Sequence, residues 1–249
     1  MKLASRITIF AIALISISLF CWPLVIQVPD QTGLAQGAFI ILMPLLVTLI
    51  YIEYSSGGID SRQLALLGVM TALNAVARLL GAGVAGIETA FFLILIGAYV
   101  FGSGFGFLLG SVSLMVSALI SGGVGPWLPF QMMAAGLVGL GAGLIPRMKF
   151  EKLALIGYAI FASFAYGILM TLWNWPYLAG VGSDVSYTAG AGVLENIRRL
   201  FAYDLLTGGA LWNLGRAITT SVLIAVTAPA LLATLRRAAG RAGVEKLKN

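Results

Sequence analysis

Long apolar runs follow one another along this chain, separated by brief polar breaks rather than by the short alternating blocks of a soluble domain. Runs of roughly 18 or more apolar residues signal membrane-spanning helices. The pattern predicts eight of them, at about 7–28, 37–54, 63–82, 88–102, 104–121, 128–146, 152–176 and 210–235. The fourth and fifth are joined by "FGSGFG" and become one broken segment in a seven-span alternative. After the seventh run, "VLENIRRLFAYDLL" repeats Val193, Leu194, Ile197, Leu200, Phe201 and Leu205 at helical intervals, with Glu195, Arg198 and Arg199 mostly elsewhere. That spacing predicts an amphipathic helix lying on the membrane interface or capping the bundle. The expected fold class is all-α, a polytopic membrane helix bundle.

Composition agrees with the pattern. Sixty per cent of the residues are hydrophobic and only 10% are charged; the mean hydropathy is +1.00. A soluble domain of this size needs far more charge to cover its surface. Lys2 and Arg6 precede the first run as they would in a signal peptide. The run is too long for a signal h-region and lacks a small-x-small cleavage site, so it is read as a span.

Charge adds orientation. With the N-terminus inside, the cytoplasmic segments collect Lys2, Arg6, Arg62, Arg147, Lys149, Lys152, Arg236, Arg237, Arg241, Lys246 and Lys248, which is 11 of the 15 basic residues. The positive-inside rule then requires an even number of spans with both termini cytoplasmic. Under this reading "SGGVGPWLPFQ" at 121–131 and the long 177–209 segment lie outside. The net charge of +6 is assigned to contact with anionic lipid and cytoplasm, with no nucleic acid partner.

Several chemistries are excluded. There is no histidine, so no His-based triad or His-ligated metal, and the single Cys21 builds neither a thiolate metal site nor an intrachain disulfide. No G-x-x-x-x-G-K-[ST] loop is present, so the chain is not expected to hydrolyse ATP. Neither an activated serine nucleophile nor a mid-membrane Asp dyad is visible, and no filter motif suggests a channel. The expectation is a non-enzyme with no cofactor and no metal.

What remains is polar chemistry at one depth. Arg78 follows Asn74 by four positions and Arg216 follows Asn213 by three, so each pair shares a helix face near an outer end. An arginine deep in a lone span costs about 3 kcal/mol, so a surviving one faces a cavity or a partner, or snorkels. Glu88 is placed to neutralise either arginine. Trp127 and Gln131 flank Pro129; Trp173, Asn174, Trp175 and Tyr177 crowd the end of the seventh run, and Trp212 adjoins Asn213. Tryptophan and tyrosine also form interfacial belts. Their coincidence with amides and arginines suits a small-molecule pocket with flat apolar walls. The depth of Asp204 is not fixed by the sequence. Small residues recur every four positions at Gly102, Gly106 and Gly110, at Ala135, Gly139 and Gly143, and at Gly68 and Ala72. Such stripes serve either close internal packing or a moving contact with a partner subunit.

The blocks "LALLGVMTALNAVARLL" (64–80), "ETAFFLILIGAYVFGSGFGFLLGSVSLMVSALISGGVGPWLPFQMMAAGLVGLGAGLIPR" (88–147) and "NLGRAITTSVLIAVTAPALLATLRR" (213–237) resemble the substrate-binding S component of an energy-coupling factor (ECF) vitamin transporter. The resemblance implies a six-helix S-component-like core over 61–237, preceded by two added transmembrane helices within 1–60 and followed by a basic cytoplasmic tail at 238–249. It further implies a multi-pass protein of a bacterial cytoplasmic membrane that captures a vitamin on its outer face. Delivery would run through a transmembrane coupling (T) component and two cytoplasmic ATPases. The family's docking contact is an Ala-x-x-x-Ala pair on the first core helix; here the nearest matches are Gly68-x-x-x-Ala72 and Thr71-x-x-x-Ala75. The "GPW-x-P-x-Q" loop and the tryptophan-rich end of the seventh run are most similar to the cobalamin-type subgroup, and the aromatic mouth would also suit a queuosine precursor. Two other readings stay open on the residues alone: a non-transporting membrane scaffold or assembly subunit, and a stand-alone secondary transporter.

Overall fold

The computed structural model describes residues 61–81, 86–176, 184–188 and 190–241, together with scattered positions before residue 56. Seven helices are formed there: α1 (Ser61–Gly81), α2 (Phe91–Phe101), α3 (Ser103–Ser121), α4 (Leu128–Ala142), α5 (Glu151–Asn174), α6 (Val193–Leu206) and α7 (Gly209–Arg241). No strand occurs among the described residues. Six of these helices match the expected core spans, and α6 is the expected amphipathic helix. The N-terminal spans lie almost wholly outside the described residues, as do Tyr177 and the tail from 242; Phe20, which is described, sets its ring edge-on against Phe130 at 5.7 Å.

The chain reverses at Gly102, between α2 and α3. Its φ of +100° lies where side chains are disfavoured, so glycine permits the break. Gly106 then lies against the methyl of Ala98, and Gly97 against Leu109. This resolves the seven-or-eight question for this region: the two runs are separate helices folded back on one another.

The four helices α1, α3, α5 and α7 are long and apolar enough to cross a membrane; α2 and α4 are shorter. With 11 and 15 residues, α2 and α4 reach only about 16 and 22 Å against a hydrocarbon core of about 30 Å. They can be short because they are sheathed. Nine of the eleven α2 residues are buried, and α2 touches α1, α3, α4, α5 and α7. A helix apolar on every side belongs at the centre of a bundle.

The most extensive helix pair, α3 with α4, is closed by two of the small-residue stripes. A Cβ at Gly139 would stand 2.0 Å from the Gly106 carbonyl oxygen, one at Gly110 would stand 2.2 Å from that of Ala135, and Gly143 abuts the Ser103 backbone. Ser111 adds a bond to the Met132 carbonyl at 3.0 Å. In lipid, where apolar side chains gain little by pairing, this backbone proximity supplies the dispersion contact that holds helices together. For these stripes internal packing is the answer. The Gly68–Ala72 stripe behaves differently: a Cβ at Gly68 would meet nothing within 4 Å, and both residues line an apolar groove with Leu64, Leu67, Thr71, Leu108, Val112 and Val116. Ala75 is buried inside the bundle.

Polar pairs fix helix rotation at both ends. At one end Arg236 of α7 binds both carboxylate oxygens of Glu151, at the start of α5, and the Tyr99 hydroxyl of α2 donates to the same carboxylate at 3.3 Å. The Arg62 guanidinium donates to the Arg241 carbonyl at 3.0 Å, bringing α1 to the same basic end. Toward the other end, the Asn74 amide donates to Ser113 at 2.9 Å and Arg78 to Ser117 at 2.8 Å, joining α1 to a serine pair on α3. An interhelical bond of this kind contributes about 1 kcal/mol in a membrane. Asn74→Ala is therefore expected to lower unfolding free energy by about that amount, read from reversible SDS-induced unfolding, with the cavity described below left unchanged.

Candidate functional site

At the end of the bundle opposite the Glu151–Arg236 pair, α5, α6, α7 and the start of α4 line an open cavity of about 470 Å³. Sites for small organic ligands occupy about 300–1,000 Å³. Its walls are aromatic: Trp127, Trp173, Trp175, Tyr203 and Trp212.

Local contacts hold three of the four tryptophans in place. Gly122, with φ +69°, ends α3, and Gly123 donates back to Ala118. The Trp127 ring folds over Gly125, where a Cβ would stand 2.4 Å from it, and its indole donates to the Gly123 carbonyl at 3.3 Å. Trp173 is stacked on Phe130 of α4 with centroids 4.4 Å apart. Trp175 donates to the Val185 carbonyl at 2.9 Å and meets Tyr187 edge-on, so the segment after α5 is held beneath the cavity wall. These fixed rings lose little freedom when a flat ligand arrives.

The polar wall is built around Arg216. Its guanidinium lies over the rings of Tyr166 (4.8 Å) and Phe91 (5.6 Å), and donates to the Ser163 carbonyl at 3.2 Å and to Asn213 Oδ1 at 2.9 Å. π faces and carbonyls thus take the place of a counterion. The bond from Arg216 also assigns the Asn213 amide, turning its oxygen to the guanidinium and leaving Nδ2 as the free donor. Asn213 is buried and Nδ2 has no partner, nor does Arg216 Nε. Gly167 makes this possible, since a Cβ there would stand 1.7 Å from Asn213 Oδ1.

The acidic wall comes from α6. Its buried residues are Asn196, Leu200 and Asp204, spaced four apart, while Val193, Leu194, Phe201 and Leu205 are exposed. Two of its three buried residues are thus polar, while most of its large apolar side chains are exposed. Asn196 exchanges hydrogen bonds with both backbone groups of Thr188 (3.2 and 3.1 Å). Asp204 accepts from the Thr171 hydroxyl at 2.8 Å and forms no ion pair with a described residue. Gly209 gives that carboxylate room, a Cβ there standing 2.3 Å from Asp204 Oδ1. Burial raises the Tyr203 phenol above its ordinary value, so it remains a neutral donor.

Of the residues expected at a site, the cavity brings together Trp127, Trp173, Asn174, Trp175, Asn213 and Arg216. Asn74 and Arg78 lie at the α1–α3 contact instead, bound to serines that the sequence reading did not weigh. Glu88 forms no ion pair with Arg78 or Arg216; its carboxylate accepts from the Ala90 amide at 3.3 Å. Gln131 is half-buried on the first turn of α4 and is not a wall residue, and Tyr177 is outside the described residues. The sequence reading missed Gly167, Met170, Thr171, Tyr203 and Gly209. Thr171 was findable, one turn before Trp175 on the same face; the glycines carried no signal of their own.

A membrane bundle of short buried helices within longer ones, with an aromatic, amide-lined cavity at one end, defines a membrane protein built to hold a small molecule. The chain belongs to the family described as ECF transporter, substrate-specific component, whose model matches residues 62–232. No curated protein and no solved structure matches it. It is a multi-pass, substrate-binding transporter subunit. This is a transporter family rather than an enzyme family, and its members work in general with a T component and ATPases.

Proposed function

We propose that this subunit captures a vitamin-sized nutrient in the Trp127–Trp175–Asn213 cavity, which faces outward, and delivers it through an ATP-driven coupling module bound on the α1 groove. The observation that carries the reading is the buried, unpartnered Asn213 Nδ2 on the wall of a tryptophan-lined cavity. Leaving a buried donor unpaired costs about 1–3 kcal/mol, which a ligand acceptor recovers. The positive-inside rule supports placing the Glu151–Arg236 end, with Arg147, Lys149, Arg237 and Arg241 nearby in sequence, in the cytoplasm of a bacterial cell. A cavity of about 470 Å³ favours a compact ring compound, such as the queuosine-precursor class, over a corrinoid.

Purified protein in lipid nanodiscs, screened by native mass spectrometry against vitamins at micromolar concentration, tests the reading; binding of none would overturn it in favour of a scaffold. The groove is tested separately. Ala72 is exposed and Gly68 faces open space. Ala72→Leu is expected to leave ligand affinity unchanged and to slow uptake about tenfold or more in vesicles containing the coupling module. Equal loss of both would assign the stripe to packing within the subunit.

A further inference from the structure

The two polar walls of the cavity differ in what they offer, and the difference names a ligand. On one side the Arg216 charge is already occupied by two aromatic faces, the Ser163 carbonyl and Asn213 Oδ1. That wall holds two buried donors without partners, Asn213 Nδ2 and Arg216 Nε. On the other side Asp204, 4% exposed, presents a carboxylate whose protein contact is a single Thr171 hydroxyl. Oδ2 has no hydrogen-bond partner and no cation among the described residues answers it. The same cavity is lined by Trp127, Trp173, Trp175 and Trp212. A carboxylate beside several tryptophans is the arrangement that recognises an organic cation, because the ring quadrupoles and the anion both favour positive charge where water is scarce.

We infer that the transported substrate is a planar nitrogen heterocycle carrying a positive charge: its cationic edge faces Asp204, its ring lies between the tryptophans, and a ring nitrogen or carbonyl accepts from Asn213 Nδ2. This rests on the cavity being the substrate site, and it narrows that reading to one charge class. Asp204 and Asn213 lie on different helices, α6 and α7, linked by the Thr207–Gly208 turn, where Gly208 has φ +84°. A ligand bridging them therefore ties α6 to the bundle, and loaded protein is held closed by its own cargo.

The test uses the full chain in nanodiscs and intrinsic tryptophan fluorescence. Thiamine and 1-methylnicotinamide serve as cationic probes, nicotinamide and riboflavin as uncharged ones, and nicotinate as the anion. The expected result is that cationic rings bind on the order of tenfold or more tighter than uncharged rings of similar shape, and that nicotinate does not bind. Asp204→Asn is expected to erase that preference, and Arg198→Ala, an exposed change away from the cavity, to alter nothing. Should Asp204→Asn fail to fold, the cation preference of the unaltered chain still decides. Tighter binding of uncharged or anionic rings overturns the inference and leaves the cavity as the substrate site. Binding of no ring compound overturns both.

Discussion

Replacement of Gly139 by valine is expected to abolish the assembled bundle. Gly139 and Gly106 face each other backbone to backbone, and the added Cβ would stand 2.0 Å from the Gly106 carbonyl oxygen. No side-chain rotation relieves a contact with main chain, so α3 and α4 must separate along their length. Overpacking of a core costs about 1–3 kcal/mol when neighbours can adjust; with backbone on both sides the expected loss is about 3 kcal/mol or more. Gly157→Val, on an exposed face of α5 with no atom within 4 Å, is the matched control and is expected to be neutral. Monodisperse yield in detergent and thermal unfolding distinguish the two, and equal behaviour would show that the α3–α4 contact is dispensable.

The second large effect is expected at Gly167, with the bundle kept and the site lost. A valine there would displace Asn213, whose Oδ1 lies 1.7 Å from the added Cβ position. The Arg216–Asn213 bond breaks, Nδ2 no longer points along the assigned direction, and the methyls occupy cavity volume. Loss of one oriented hydrogen bond together with ring contact corresponds to about 2–3 kcal/mol, or roughly a hundredfold in affinity. Arg216→Lys is expected to act in the same direction, since an ammonium lacks the planar fork that reaches Ser163, Asn213 and the two rings together. Titration of the bound nutrient, alongside unfolding temperature, reads both variants. Affinity within threefold of the unaltered chain would remove the Asn213–Arg216 unit from the site.

Much of the architecture was legible because lipid imposes strong rules. A continuous apolar run has one stable backbone solution in a membrane, so the core helices follow from hydropathy and their ends fall within a few residues of the expected positions. The small-residue stripes announced close approach, and two of the three close α3 on α4. The stripe at Gly68 and Ala72 has the same spacing but opens on a groove. Spacing states that a helix can be approached and is silent about what approaches it.

The cavity lining was legible in composition and only partly in membership. Tryptophans, amides and arginines clustered at one depth, and Trp127, Trp173, Trp175, Asn213 and Arg216 do share a cavity. Depth along a helix follows from sequence position. The direction a residue faces at that depth depends on helix rotation, which distant partners set. Asn74 and Arg78 sit on the correct end but are turned toward Ser113 and Ser117. Asp204 shows the converse. In sequence it is one acid in an amphipathic segment of uncertain depth; in the structure it is buried, because α6 turns Asn196, Leu200 and Asp204 inward and leaves Leu194 and Leu205 exposed.

The sequence by itself determined that this is an all-helical membrane protein with a polar, tryptophan-rich end, while the reversal of the chain at Gly102 was decided by the structure. The properties read from sequence follow from local free energies: transfer of side chains into lipid and backbone hydrogen bonding without water. Tertiary structure alone decided which polar residues meet. The pairing of Arg216 with Asn213 across Gly167, the inward turn of Asp204, and the diversion of Arg78 to α3 all depend on rotations about helix axes. Such rotations are fixed by packing between segments far apart in the chain, a quantity that no single stretch of sequence contains.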